Sequence, residues 1–315
     1  MSKTWMEYIF GGFVVKKVLN ENEIEIMDRK TKQKCLEIIN PFLKYSLETL
    51  YSTKESAKLA KSKIAKETIQ FGKDYDDPKS AKKIPGFVKF FKIDMNQFTP
   101  SNISAYPNFN SFFYRKFKPG ARKIENASVI ICPTDSRVIV FKTIQEATRL
   151  WIKGTSFSME KLLGKDLANE YQNASIAIFR LAPQDYHRFH SPVSGKVTFI
   201  GPILGQEYYS VNPIAINSKT DVFGDNKRRI IKIKTKKYNQ ILYIPVGASL
   251  VGSINFTVKK GMSLSRMSEI GYFAFGGSTV ICIFKKDTIT FDSDLIENSE
   301  NGIETLVKLG ESLGK

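Results

Sequence analysis

From about residue 96 onward the chain is a succession of short, β-branched runs, and this pattern constrains its fold more than any other feature. Ser128 to Cys132, Arg137 to Lys142, Ile176 to Leu181, Lys196 to Ile200, Ile230 to Lys234, Gln240 to Val246, Leu250 to Val258, Thr279 to Phe284 and Thr288 to Phe291 are each of strand length. Short helices are expected only at Ser158 to Leu163 and Gly302 to Leu306. Strands this closely spaced leave little room for helical crossovers, so they pair mainly antiparallel. The longest apolar run, Tyr272 to Phe284, contains Gly276, Gly277, Ser278 and Thr279 and reads as strand–turn–strand. It falls well short of the roughly 20 apolar residues of a membrane-spanning helix.

Residues 1–95 read differently. Met1 to Leu19 is aromatic-rich at Trp5, Tyr8, Phe10 and Phe13, with no signal-peptide cleavage pattern. Lys34 to Tyr51 and Thr53 to Phe71 have helical periodicity, and Ile84 to Phe91 starts another helix after the Asp76-Asp77-Pro78 turn. In the second of these, Leu59, Ile64 and Ile69 lie among Lys58, Lys61, Lys63 and Lys66, giving a basic amphipathic face. The expected architecture is α+β: a helical, basic N-terminal region over 1–95, then a mainly antiparallel β catalytic body over 96–315.

The formal net charge is +17, which points toward an anionic partner. Lysine outnumbers arginine 38 to 10 in an Asn- and Ile-rich chain, a bias that an AT-rich genome also produces. Nucleic-acid readers lean on arginine with interleaved aromatics, and no such motif is present. An anionic membrane surface is therefore the expected partner, with no nucleic acid, and a basic helix can lie on such a surface. Three scattered cysteines make neither a disulfide framework nor a metal knuckle, and they fit a reducing compartment.

Three segments could carry chemistry. The chain has just two histidines, His187 and His190, three apart within Leu181 to Pro192. Histidine shuttles protons near neutral pH, so the pair argues for a site. Two histidines make only half a zinc site, so no metal is expected; a polar loop with two structural histidines is the plain alternative. Second, Gly276-Gly277-Ser278-Thr279 sits between strand-forming residues, either a tight turn or a strained backbone presenting a serine nucleophile. Third, in Cys132-Pro133-Thr134-Asp135-Ser136-Arg137 the carboxylate could cap its turn or orient an imidazole.

Taken together these segments resemble the phosphatidylserine decarboxylases, pyruvoyl-dependent enzymes that cut their own chain. The matching stretches are Phe109 to Arg122, Pro133 to Asp135, Ala182 to Pro192, Tyr208 to Pro213, Val246 to Ile254, Gly271 to Thr279 and Gly302 to Leu306, in the family's order. The resemblance implies serinolysis at Gly277–Ser278, giving a β chain, 1–277, and an α chain, 278–315. Ser278 would become the pyruvoyl group, the electron sink for loss of CO2 from phosphatidylserine, leaving phosphatidylethanolamine. By the same resemblance His190 would activate Ser278, Asp135 would orient His190, and His187 would serve decarboxylation. Peripheral attachment at the cytosolic face of an endomembrane or in mitochondria is expected, and a homodimer is compatible with the family. The rival expectation is an inactive lipid- or membrane-binding relative, against which the complete set Asp135, His187, His190 and Ser278 stands.

Overall fold

The computed structural model describes residues 24–37, 70, 72–126, 129–150, 158–211, 216, 221–248, 253–274 and 278–315. The expected apolar start at 1–19 and the helix over 53–71 lie outside these residues, apart from Gln70.

Seventeen short strands arrange into one ten-stranded sheet and three smaller ones among the described residues. The large sheet runs β13 (Ser263–Leu264), β9 (Gly195–Ile200), β10 (Ile231–Lys234), β11 (Gln240–Gly247), β15 (Ser278–Phe284), β7 (Ser175–Leu181), β6 (Ser136–Phe141), β16 (Glu304–Val307), β1 (Glu25–Asp28) and β2 (Gln33–Leu36). Its ladders are antiparallel except β1 with β16, so the antiparallel expectation holds. A three-stranded sheet, β12 (Ser253–Phe256), β14 (Glu269–Ala274) and β8 (Arg188–His190), covers one face. Two ribbons, β17 (Ser312–Gly314) with β5 (Ile130–Ile131) and β3 (Phe98–Thr99) with β4 (Lys116–Phe117), complete the β structure.

The central strands β6, β7 and β15 are buried along their whole length, which is why their sequences are apolar runs and not alternating ones. Their side chains still alternate between two cores. Ile139, Ile176, Ile178, Leu242, Ile244, Ile281 and Ile283 pack under the helices at 159–163 and 222–225. Val138, Ala177, Phe179, Tyr243, Val280, Cys282 and Phe284 face Phe189, Ile270 and Phe273 of the three-stranded sheet.

The helix expected from Ile84 is present as Ile84–Phe91, stopped by Lys92 in a left-handed conformation. It joins an aromatic cluster of Tyr75, Phe87, Phe109, Phe112 and Phe113. A second short helix, Phe109–Phe113, belongs to the same cluster and begins with a reciprocal cap between Asn108 and Ser111.

Some expectations need correction. Gly302 to Leu306 is not a helix: Gly302 turns at φ 72° after the helix Ser293–Glu300, and Glu304–Val307 then forms β16 against β6. Two β-branched residues in that tetrad favour the strand. The helix expected from Lys34 is a strand through Leu36, because residues 25–36 form a hairpin whose first strand extends the large sheet beside β16. This part of the N-terminal region is therefore continuous with the sheet of the body. Thr288 to Phe291 makes only an isolated bridge, Phe291 to Gly314.

Candidate active site

Six connections cross between the large sheet and the three-stranded sheet, and three of them bear on the site. Residues 182–187 lead from β7 to β8, 248–252 from β11 to β12, and 275–277 from β14 to β15. Strand register places the strand ends that they join side by side. Ser278 pairs with Leu181 on one flank and Gly247 on the other, Ser253 pairs with Ala274, and the Phe273 N–H donates to the His187 carbonyl at 2.9 Å. The described strand ends of three family-like segments thus lie next to one another. Gly276, Gly277 and the bond expected to break lie outside the described residues.

Ser278 opens β15 and shares the face of Val280, Cys282 and Phe284, toward the three-stranded sheet. It is 0% exposed, and its Oγ has no hydrogen-bond partner among the described residues. Burying a hydroxyl this way costs about 1–3 kcal/mol, so the position calls for an explanation. Neither histidine is bonded to Ser278 Oγ, a common situation before a reactive geometry closes.

The two histidines have different surroundings. His190 lies at the end of β8, its Nδ1 2.8 Å from the Met267 carbonyl and its Nε2 3.0 Å from the Tyr186 hydroxyl. A carbonyl only accepts, so Nδ1 carries the proton and Nε2 presents its lone pair, here accepting from Tyr186. Burial lowers the His190 pKa below its ordinary 6.5, keeping the ring neutral. His187 is fully buried, with Nδ1 3.0 Å from the Asp185 carbonyl and its ring 3.9 Å from that of Phe113. The same proton count leaves His187 Nε2 as the basic nitrogen.

Asp135, expected to orient His190, accepts no hydrogen bond from its ring. The Asp135 carboxylate is taken by the Arg122 guanidinium and by the Leu309 N–H at 2.8 Å, with Lys308 Nζ at 3.6 Å. Burial pushes its pKa up, but the Arg122 hydrogen bond and the charges of Lys308 and Arg122 outweigh that, holding it below the usual value. Asp135 reaches His190 through the main chain instead. The turn it anchors offers the Pro133 carbonyl to the His190 N–H at 2.9 Å, and Thr134 Oγ1 bonds the carbonyls of Tyr186 and Arg188 at 3.1 Å.

Sequence reading missed the groups that fix the histidine turn. Asp185 accepts from the Ala182 N–H at 2.7 Å and from Arg137. Arg115, 2% exposed, donates to the Gln184 carbonyl at 2.9 Å, and burial lowers its pKa to about 10. Arg137 and Arg180 are cross-strand neighbours that share Glu37, and Arg180 also forks onto Glu304 at 2.9 Å. A signal was available: these arginines interrupt apolar strands, where a charge survives only with partners. Arg180→Met should leave Glu304 buried and unpaired and Glu37 held by Arg137 alone, costing about 3–5 kcal/mol. A urea midpoint in the Ser278→Ala background, which keeps one chain, measures this; an unchanged midpoint would show that the network contributes nothing.

Residues 109–315 match the sequence profile of a family described as Phosphatidylserine decarboxylase. The chain is 42% identical to the phosphatidylserine decarboxylase proenzyme 2 of Komagataella phaffii, over 99% of this chain but 31% of that protein. Identity to the Saccharomyces cerevisiae proenzyme 2 is 43%, over 99% of this chain and 27% of the relative. With the Fusobacterium nucleatum phosphatidylserine decarboxylase proenzyme it is 38%, over 94% of this chain and 99% of the relative. The chain thus spans less than a third of the two yeast relatives and nearly all of the bacterial one.

Proposed function

The chain belongs to the phosphatidylserine decarboxylase family, and we propose that it is a self-cleaving proenzyme that decarboxylates phosphatidylserine to phosphatidylethanolamine. The observation that carries this reading is Ser278: a buried, unpartnered hydroxyl at the first position of β15, where the histidine-bearing crossing meets the sheet.

In cleavage, Ser278 Oγ attacks the Gly277 carbonyl carbon while His190 Nε2 takes the hydroxyl proton. Tyr186 gives up its hydrogen bond to that nitrogen as the serine approaches. The C–N bond breaks, the freed amine takes a proton, and an ester joins 1–277 to the Ser278 side chain. Elimination expels the new C-terminal carboxylate of 1–277, and water then releases ammonia, leaving 278–315 with a pyruvoyl end. Ser278 suits that group: nothing hydrogen-bonds the oxygen that must depart, and the surrounding apolar side chains exclude water.

The pyruvoyl group supplies an electron sink for the pair released as CO2 leaves. His187 then holds or delivers a proton through Nε2, its ring set by the Asp185 carbonyl and Phe113. Asp135 and Arg115 act as positioning residues, the first on the His190 backbone and the second on the 182–187 turn.

The pH dependence of cleavage tests the base. A neutral imidazole is required, and burial places its protonation below pH 6.5, so in vitro processing should hold its rate from pH 7.5 to 6.5 and fall only below. The precursor loses stability in the same acid window, because the unfolded chain takes up the proton first. A rate that halves already above pH 7 would contradict this assignment.

Phosphatidylserine lies in membranes, and among the described residues no helix is long and apolar enough to cross one. Peripheral attachment through the basic segment 51–92, with 11 Lys against five acidic residues, accounts for access. Reversing Lys58, Lys61, Lys63 and Lys66 to Glu should weaken sedimentation with anionic vesicles, most strongly at low salt. Removing residues 1–50 is a poorer test, since it also removes the β1–β2 hairpin from the sheet. Vesicle binding that ignores the reversal would refer attachment to another surface.

A further inference from the structure

A cavity of about 650 Å³ opens at the far edge of the large sheet, where β9 and β13 meet the β10–β11 hairpin. Five cations line it: Lys196, Lys234, Lys236, Lys237 and Arg266. No acidic side chain does. None of the five forms an ion pair with a carboxylate among the described residues. The remaining polar lining is hydroxyl: Ser194, Thr235, Tyr238 and Ser263.

The lining is built on backbone that is pinned. Lys234 and Lys196 are direct cross-strand partners, so two like charges face each other on adjacent strands, an arrangement that is destabilising by itself. The hairpin carrying Lys236 and Lys237 is closed by the Thr235 N–H to the Asn239 carbonyl at 2.7 Å and the Tyr238 N–H to Thr235 Oγ1 at 2.7 Å. Arg266 is anchored by Nη1 to the Val129 carbonyl at 3.0 Å, and its N–H donates to Ser194 Oγ at 3.2 Å. Repelling cations fixed around a pocket of ligand size relax when an anion with several acceptor oxygens enters.

We propose that this cavity is a second anion site, selective for a phosphate-bearing ligand of two or more negative charges. An arginine fork, lysine ammonium groups and hydroxyl donors together match phosphate oxygens. A substrate subsite is excluded by position. Lys234 pairs with Gln240 at one end of β11, and Ser278 pairs with Gly247 at the other, about 24 Å along the strand. Five of the chain's cations converge on this one pocket with no acidic side chain among its lining. Occupancy would remove the cross-strand repulsion and so stabilise the sheet edge. The ligand is either a soluble polyphosphate or the phosphorylated headgroup of a lipid, and the two sources are separable.

The test uses the full chain, wild type beside Lys234→Ala/Lys236→Ala/Lys237→Ala. A charge-matched control, Lys30→Ala/Lys118→Ala/Lys165→Ala, removes three exposed lysines elsewhere. Inorganic pyrophosphate is titrated by calorimetry, and phosphatidylcholine vesicles with a minor fraction of phosphatidylinositol 4-phosphate are tested by sedimentation. We expect the pocket variant to weaken pyrophosphate binding about tenfold or more, with the control close to wild type. Loss restricted to pyrophosphate identifies a soluble ligand; loss in both arms identifies a lipid headgroup. The proposal is overturned if wild type binds neither probe, or if pocket and control variants weaken binding equally. All variants should retain self-cleavage, which separates loss of this site from loss of the fold.

Discussion

Ser278→Ala is expected to remain one uncut chain of 315 residues and to release no CO2 from phosphatidylserine above background. Without Oγ there is no nucleophile to displace the amide nitrogen and no leaving oxygen for elimination, so the carbonyl group that catalysis requires cannot form. Ser278→Cys separates these two losses. A thiol can attack the Gly277 carbonyl and leave in elimination, so partial cleavage is expected where alanine gives none. Alanine keeps Cβ at this fully buried position and removes only a hydroxyl with no hydrogen-bond partner among the described residues, so the variant should fold; far-UV circular dichroism like that of wild type checks this. Cleavage at this bond in Ser278→Ala would sink the assignment.

The second large effect divides the two histidines. His190→Ala should leave most of the chain uncut, because its Nε2 is the proposed base for Ser278. His187→Ala should mature wholly or partly yet turn over about 10²–10⁴-fold more slowly, the range for losing a general acid–base. Asp135→Ala should impede cleavage by a different route. It removes the carboxylate that Arg122 and the Leu309 N–H hold, releasing the turn whose Pro133 carbonyl fixes the His190 backbone. Asp135→Asn keeps an acceptor for the Leu309 N–H and should cleave faster than Asp135→Ala; equal rates would remove the main-chain explanation. A cleavage time course on a gel, beside CO2 release from labelled phosphatidylserine, reads all four variants. If His187→Ala blocks cleavage while His190→Ala matures normally, the roles are reversed.

Much of this was legible in the sequence, for physical reasons that differ by element. Ile176 to Leu181 and Thr279 to Phe284 read as strands because both faces are buried, so every position but Arg180 and Thr279 is apolar. Both histidines were conspicuous because the chain uses so few. Glu304 to Val307 was misread because a glycine and a glutamate before a short apolar run fit a helix start as well as a turn into a strand; only pairing with β6 decides. The hairpin at 25–36 was hidden for the same reason, since its edge strand is lysine-bearing and mostly exposed. The Asp135 contact failed at finer grain. A carboxylate in a turn has several cations within reach, and sequence spacing says nothing about Arg122 arriving from 13 residues earlier or the Leu309 N–H from 174 residues later. Likewise the pairing of Arg137 with Asp185 depends on a crossing that only the assembled sheets define.

The most direct test is the intact mass of the purified wild-type protein, before and after sodium borohydride. The account predicts two chains, 1–277 and 278–315. The smaller should be lighter by one ammonia than a peptide beginning with Ser278, and heavier by two hydrogens after the ketone is reduced. A single chain of 315 residues, or a 38-residue fragment that still begins with serine and ignores borohydride, would contradict it.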